Sequence, residues 1–494
     1  MYNLKELLED IEYETNGEII GDVNVSSIVT NSREVTPQSL FICLKGCRSD
    51  GHNYVKEAER RGAVAIVCSS GCRYKSEKAV FIRTENTRAA YSRIWRNAEK
   101  KPDKRIKLIG ITGTNGKTTV STMIYTALNK AGRKCALIGT LGGYYGNEKI
   151  TFDTMTTPDP EKLYPIMSRF AELGAEYAVM EVSSHSLSLN KLEGVSFFVG
   201  AITNLTPEHL DYHGNMSEYC KAKALLFDKC EKKLFCTDDV YTTEMYQKSV
   251  GEKKRVSVKD KEANYYADNV IFDGINGVSL DFAFNGGKIE LNSKIPGQFT
   301  VSNVLLAGAV LKELGLTSEE IKDGIAALEG VKGRMEKLPI EENFSVIIDF
   351  AHTPDALQKL LESVNAFKRS EQRVVTLFGC GGDRDKSKRS LMGAIASRLS
   401  DMVIITEDNS RSERKEAIID DILTGIDKKS PHKVIFDRGR AIKFAIENAG
   451  KGDIILLCGK GHEEYEIDKS GKRAFSEREI VYSTLRKRKG NSLC

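Results

Sequence analysis

The densest run of potentially reactive residues is Gly113-Thr114-Asn115-Gly116-Lys117-Thr118-Thr119. It follows a short apolar run, Leu108 to Thr112. After it, Val120, Met123, Ile124, Ala127, Leu128 and Ala131 recur at helical spacing, with Gly132 as the stop. A strand, a glycine loop and a helix N-terminus together make an anion site. Loop amides and the helix dipole face phosphates, the lysine neutralises them, and a threonine hydroxyl can hold Mg2+. The usual Walker spacing would put glycine where Ile111 stands, so the motif is imperfect although its context is right.

Other reactive groups sit where apolar runs end. The run Tyr177 to Val182 delivers Glu181 and then Ser183-Ser184-His185, and Phe197 to Asn204 is followed by a loop carrying His209 and His213. Carboxyl ends of strands in an open parallel sheet share one edge with the phosphate loop, so Glu181, His209 and His213 are candidates to lie near a Mg-nucleotide. By pattern alone Lys223, on the helix-like stretch Glu218 to Phe227, reads as a surface lysine. In the last third, five apolar runs (Phe344–Phe350, Arg373–Gly379, Asp401–Thr406, Lys433–Asp437, Asp453–Cys458) alternate with helical patterns at Pro354–Phe367, Leu391–Leu399, Ile418–Ile426 and Arg438–Asn448. Each run hands over to a polar cluster, around Asp349, Asp383-Arg384, Asp408-Asn409-Ser410-Arg411, Asp437-Arg438 and Gly459 to Glu463. Five such clusters on one edge make a crevice for a small, multiply charged molecule. The spacing of Gly379-Cys380-Gly381 fails the dinucleotide fingerprint, so NAD is not expected.

These clusters need a scaffold of more than one core. At 494 residues, 40% apolar and 29% charged, the chain has the composition of an ordinary globular protein of several domains. A net charge of +4 gives no reason to expect nucleic acid or an acidic membrane. The basic run Arg486-Lys487-Arg488-Lys489 reads as a solvated tail. The acidic start, MYNLKELLEDIEYE, lacks a long apolar core, and no run reaches the length of a membrane span, so a cytoplasmic location is expected. Among the eleven cysteines, the four-residue spacings Cys43/Cys47 and Cys68/Cys72 invite a zinc reading, but both lie at apolar strand-like runs where buried free thiols are common. The first hundred residues alternate strands (Leu40–Leu44, Ala63–Cys68, Ala79–Arg83) and helices (Tyr54–Arg61, Thr87–Glu99), and Glu99 to Lys104 reads as a linker.

Motifs spread over the whole chain resemble those of the Mur ligase family: TNSR with SLFICLKG and DGH, GITGTNGKTT, TTPDP, MEVSSH, TNLTPEHLDYHG, KAK, GVKGRME, DFAHTPDAL, GCGGDRDKSKR, DNSR and GKGHEEYE. The resemblance implies an α/β protein of three domains. These are a small N-terminal α/β domain holding the UDP-muramoyl moiety (1–103), a central P-loop ATPase with a mixed or parallel sheet (104–332), and a C-terminal doubly wound, Rossmann-like domain for the amino acid (333–494). It implies a ligation in which the D-Glu γ-carboxylate of UDP-MurNAc-L-Ala-D-Glu attacks ATP, and an amine then displaces phosphate from the acyl phosphate. Gly113 to Thr119, Asn303, Arg334 and the Asp437-Arg438 cluster would contact ATP, with Lys117 neutralising charge. Thr118 and Glu181 would hold one Mg2+, and His209 and Lys223 would belong to a second metal site. In the family the lysine at the Lys223 position is carbamylated by CO2. Ser32, Thr156, Thr157, Ser183 and Lys191 would contact the UDP-muramoyl-dipeptide. A cytoplasmic bacterial monomer, binding neither nucleic acid nor membrane, is implied.

Departures from the family pattern bear on specificity. Lys191 stands for a usual arginine, Glu208 for an aspartate and Thr300 for an asparagine. Asp408-Asn409-Ser410-Arg411 carries serine where members adding meso-diaminopimelate have proline. Arg411 can still pair with the distal carboxylate that diaminopimelate has and lysine lacks. Arg384, Gly459 and Glu463 match the diaminopimelate site as well. The rivals are the same ligation with L-lysine or another diamino acid, a folylpolyglutamate synthetase, and a non-catalytic nucleotide-dependent scaffold.

Overall fold

The computed structural model describes residues 1–16, 23–46, 49–74, 78–146, 148–150 and 155–491. Cys47 and Thr154 lie outside them. The chain packs as two compact units, residues 1–117 with 131–255 and residues 118–130 with 256–494. The protein is α/β throughout, as expected.

In the first unit, the N-terminal part is built on strands Ser27–Val29, Ser39–Ile42, Ala65–Ser69 and Val80–Thr84, all parallel, with Glu14–Thr15 antiparallel on the edge. Consecutive strand residues face opposite sides, and here both sides are buried. Leu40, Ile42, Val67 and Ile82 pack on Leu4, Leu7 and Ile94, while Phe41, Ile66 and Phe81 pack on Val55 and Ala58. This explains the unbroken apolar runs. Cys43 and Cys68 belong to that buried side as free thiols. Helix Thr87–Ala98 starts at Asn86, whose side chain accepts from the amides of Arg88 and Ala89.

The rest of the first unit is organised on four parallel strands, in the order Cys135–Gly139, Tyr177–Glu181, Lys107–Thr112, Phe197–Ile202, with Cys230–Cys236 parallel beyond them. The pairings Glu181↔Ile111 and Ile202↔Thr112 bring three strand ends and the glycine loop to one edge.

In the second unit, Tyr265–Phe272, Val278–Phe284 and Gly287–Ser293 form an antiparallel meander. Helices Phe299–Glu313 and Ser318–Ala326 follow, the latter opened by a reciprocal cap between Thr317 and Glu320. The last third is the expected doubly wound sheet, in the order Glu336–Lys337, Ser345–Asp349, Ile454–Cys458, Val374–Phe378, Met402–Ile405, His432–Val434, with only the first strand antiparallel.

Three local expectations change. Helix Ser387–Leu399 begins earlier than its apolar pattern, because Asp385 accepts from the Ser387 amide and hydroxyl ahead of a polar first turn. The strand placed at Lys433 to Asp437 is only His432–Val434, and Asp437 instead caps the next helix by accepting from the Arg440 amide. The basic run is part of helix Glu477–Asn491 and not a tail: Arg486 and Lys487 are exposed there, while Arg488 donates to the Ile446 carbonyl at 3.1 Å with its guanidinium 5.6 Å from the Phe344 ring. Among the described residues, no helix is long and apolar enough to cross a membrane.

Candidate active site

The glycine loop turns between strand Lys107–Thr112 and helix Lys117–Lys130. Gly113 has φ 132, and a Cβ there would lie 1.9 Å from Thr203 Oγ1, so only glycine fits. The loop is tied to the neighbouring strand end. The Asn115 amide donates to Asn204 Oδ1 at 3.0 Å, Thr203 Oγ1 donates to the Asn115 carbonyl at 2.5 Å, and Thr114 Oγ1 meets the Thr206 carbonyl at 3.2 Å. Gly116 also has a positive φ. Lys117 Nζ bends back to the carbonyls of Gly113 and Thr114, both at 2.9 Å. Thr118 and Thr119 sit buried in the first helical turn.

Lys223 departs most from its pattern. It is 2% exposed, not on the surface, and donates to the Gly113 carbonyl at 2.8 Å with Nζ 4.8 Å from the Tyr219 ring. Burial, reinforced by the Lys117 charge, holds its amine well below the usual lysine range. A lysine drawn to the strand edge from a helix has no apolar signature, so periodicity could not find it.

Glu181 is buried at the end of its strand. Its carboxylate accepts from the Thr140 amide at 2.9 Å and the Thr140 hydroxyl at 3.1 Å. Thr140 had no signal in the sequence. Thr156 Oγ1 lies 3.1 Å from Thr140 Oγ1, and Thr157 Oγ1 donates to the Glu181 carbonyl at 2.9 Å while accepting from the Ser183 amide at 3.0 Å. The candidate muramoyl residues Thr156, Thr157 and Ser183 thus converge on Glu181. Lys191, 8% exposed, pairs with Asp159 at 2.8 Å, and its backbone carbonyl accepts from Ser92 Oγ. Ser32 donates to Glu57 Oε2 at 3.1 Å.

His209, in the left-handed region at φ 56, belongs to a ring cluster that includes His185, His213, Tyr212 and Tyr219. His213 Nε2 is hydrogen-bonded to Ser184 Oγ at 3.0 Å. Burial, with His209 and His213 adding to it, lowers His185 from 6.5 to about 4. The unfolded chain therefore takes up this proton near pH 6.5 and the folded chain only near 4, so stability is lost as pH falls across that window. The metal-free protein is expected to show a falling unfolding temperature between those values, and His185→Phe a shallower slope. Parallel slopes in thermal scans of the two proteins would contradict this assignment.

In the second unit, Asn303 is buried on helix Phe299–Glu313, and the Arg334 guanidinium lies 4.7 Å from the Phe350 ring. Arg438, expected to contact ATP, is instead 0% exposed and committed elsewhere. It donates to Glu477 Oε1 at 2.8 Å, the Cys458 carbonyl at 2.7 Å and the Glu407 carbonyl at 3.3 Å. The amino-acid candidates do converge. Lys460, absent from the sequence candidates, is fully buried and reaches Asn409 Oδ1 at 3.1 Å, Asp408 at 3.4 Å and Glu463 at 3.8 Å. Burial opposes the Asp408 charge, but Lys460 and Arg438 outweigh it and hold the carboxyl below its usual range. Burial and the Asp408 charge push Glu463 up, while it accepts from Asn409 Nδ2 at 2.8 Å. Gly459 donates to the Asp349 carbonyl at 3.0 Å, Ser410 is buried, and Arg384 is exposed beside Gly381. Arg411 Nη1 donates to the Gly382 carbonyl at 2.8 Å. Its Nε and Nη2 have no hydrogen-bond partner among the described residues.

As unmodified side chains, the described residues hold no cluster of three or more His, Cys, Asp or Glu suited to a metal ion. The Glu181 carboxylate, with substrate phosphates and water, suits a hard divalent cation such as Mg2+.

Comparison with known proteins agrees with this geometry. The Mur ligase family, catalytic domain, matches residues 24–99, the Mur ligase middle domain residues 111–311, and the Mur ligase, glutamate ligase domain, residues 333–461. The UDP-N-acetylmuramoyl-L-alanyl-D-glutamate–2,6-diaminopimelate ligase 1 of Clostridium acetobutylicum is 39% identical over 482 residues, 97% of this chain and 98% of that protein. The ligase of the same name, without the number, from Clostridioides difficile is 38% identical, covering 94% and 96%. A solved structure of a UDP-N-acetylmuramoyl-L-alanyl-D-glutamate–2,6-diaminopimelate ligase superposes with a TM-score of 0.70 at 27% identity, over 99% of each chain. MurF from Thermotoga maritima in complex with ADP shares the fold, with a TM-score of 0.59 at 18% identity over 95% and 99%. The chain belongs to the Mur ligase family. It is a ligase.

Proposed function

We propose that this ligase joins meso-2,6-diaminopimelate to the D-Glu γ-carboxylate of UDP-MurNAc-L-Ala-D-Glu at the expense of ATP, releasing ADP and phosphate, in the synthesis of peptidoglycan precursors. In this reading three domains, 1–103, 104–332 and 333–494, take the UDP-muramoyl, nucleotide and amino-acid roles in turn. A carboxylate at neutral pH needs a better leaving group before an amine can displace it, and phosphorylation supplies one. Lys117 and the loop amides of residues 113–117 offset the charge of the phosphates, allowing the substrate carboxylate to approach. Thr156, Thr157, Ser183 and Lys191 line the muramoyl-dipeptide path, and Ser32 serves its nucleotide end.

A neutral, buried Lys223 amine can add to CO2, forming an N–C bond and releasing a proton, to give a carbamate. Thr118 and Glu181 would hold one Mg2+, and His209 with this carbamate a second, and these cations would supply further neutralisation of the phosphates.

The observation that carries the acceptor assignment is the charge pattern of the last crevice. Arg411 matches a distal carboxylate, while Asp408 and Glu463, balanced by Lys460, match ammonium groups. Phosphate release with UDP-MurNAc-L-Ala-D-Glu, ATP and a panel of amino acids tests it. Turnover with meso-diaminopimelate is expected. Turnover with L-lysine alone would overturn the acceptor, and none with any amino acid would favour a scaffold.

A further inference from the structure

The amino-acid crevice rests on two loops, residues 379–385 and 408–413. Each holds a non-glycine residue in the left-handed region, Asp383 at φ 53 and Arg411 at φ 51. Backbone of that kind persists only where its surroundings over-determine it. The loops press together closely. The Gly382 amide donates to the Asn409 carbonyl at 2.9 Å, and a Cβ on Gly382 would lie 2.0 Å from the Ser410 carbonyl oxygen. Ser412 donates to the Asp383 carboxylate from its hydroxyl at 2.6 Å and its amide at 3.1 Å, and Glu413 Oε1 accepts from the Asp383 amide at 2.6 Å.

Behind both loops lies Arg389, on helix Ser387–Leu399 and 0% exposed. Its guanidinium donates to Glu413 Oε1 at 2.9 Å, Glu413 Oε2 at 3.1 Å, Asp421 Oδ2 at 2.8 Å and the Gly381 carbonyl at 3.3 Å. One planar cation thus grips the backbone of one loop and, in bidentate fashion, the last carboxylate of the other. The hydrogen bonds from Arg389 hold the Glu413 carboxyl down to about 2, so it stays ionised. None of these groups lies among the substrate-binding residues assigned above. Their output is Arg411, whose Nη1 is bonded to the Gly382 carbonyl within the gripped loop.

We propose that Arg389 and Glu413 are positioning residues that lock the two loops in register and thereby aim the Arg411 guanidinium at the distal carboxylate of the amino-acid substrate. This rests on the diaminopimelate reading. A mispositioned guanidinium weakens recognition of a carboxylate but leaves untouched any substrate that lacks one.

The test is a double-mutant cycle read as kcat/KM, with L-lysine as the control amino acid. Glu413→Gln is expected to lower kcat/KM for meso-diaminopimelate about tenfold to a hundredfold, with ATP and UDP-MurNAc-L-Ala-D-Glu unaffected. Residual turnover with L-lysine should hold, so the ratio between the two amino acids falls. In an Arg411→Lys background the same change should do little more, since the group it aims has gone. Ser412→Ala, which removes one tie without leaving a charge unpaired, should give a smaller loss of the same selectivity and guards against misfolding of the first variant. Equal losses for both amino acids, or a full further loss in the Arg411→Lys background, would overturn the inference. A wild-type protein inactive with meso-diaminopimelate would overturn the acceptor reading, and this inference with it.

Discussion

Lys223→Ala is expected to lower ligation turnover on the order of 10^2- to 10^3-fold, and a small carboxylate such as acetate, not an alkylammonium, is expected to restore part of it. The structure makes the two outcomes distinct. As an ammonium, Lys223 is a buried cation bonded to the Gly113 carbonyl, and a primary amine soaked into the cavity would replace it. As a carbamate, the missing group is an anion, which acetate resembles in charge and donor oxygens. Burial and the Lys117 charge hold this amine below the usual lysine range, which favours the second outcome, because only the neutral form adds to CO2. Rescue by methylamine in CO2-depleted buffer, with none by acetate, would exclude the carbamate.

Arg411→Ala is expected to cost about 2–4 kcal/mol in the transition state for meso-diaminopimelate, roughly 30- to 900-fold in kcat/KM, with the KM for ATP nearly unchanged. The guanidinium is half-buried and held at one nitrogen by the carbonyls of Gly382 at 2.8 Å and Asn409 at 3.3 Å, and the Asn409 side chain in turn bonds Glu463 and Lys460. Its loss would leave a substrate carboxylate desolvated without a partner, which is dearer than the contact itself. Equal changes in the constants for ATP and the amino acid would show that Arg411 shapes the domain generally and does not select the acceptor.

The sheets were legible because strands buried on both faces leave continuous apolar runs, and the five runs of the last third all became parallel strands. The phosphate loop and the strand-end clusters were legible for a related reason, since register fixes where a strand stops. By pattern alone Lys223 and Arg389 were not. Each is a charged residue buried by what other segments bring to it, and a helix with one such residue reads like any solvated helix. Arg438 shows the converse. It stands at a strand-to-helix junction on the ligand edge, where sequence logic expects a binding group, yet Glu477, far along the chain, takes it for the interior. The helix carrying Glu477 was invisible because its residues are mostly polar and basic.

The strand order of the C-terminal sheet bears on how this protein can be made. The last of this sheet's strands in chain order, Ile454–Cys458, is not added at an edge. It lies between Ser345–Asp349 and Val374–Phe378, the first two parallel strands of that sheet. A nascent chain carrying only those earlier strands cannot pair them natively, because the strand that joins them has not been synthesised. The unit must therefore wait on the ribosome with apolar strand edges unpaired, and it closes cooperatively when Ile454–Cys458 emerges.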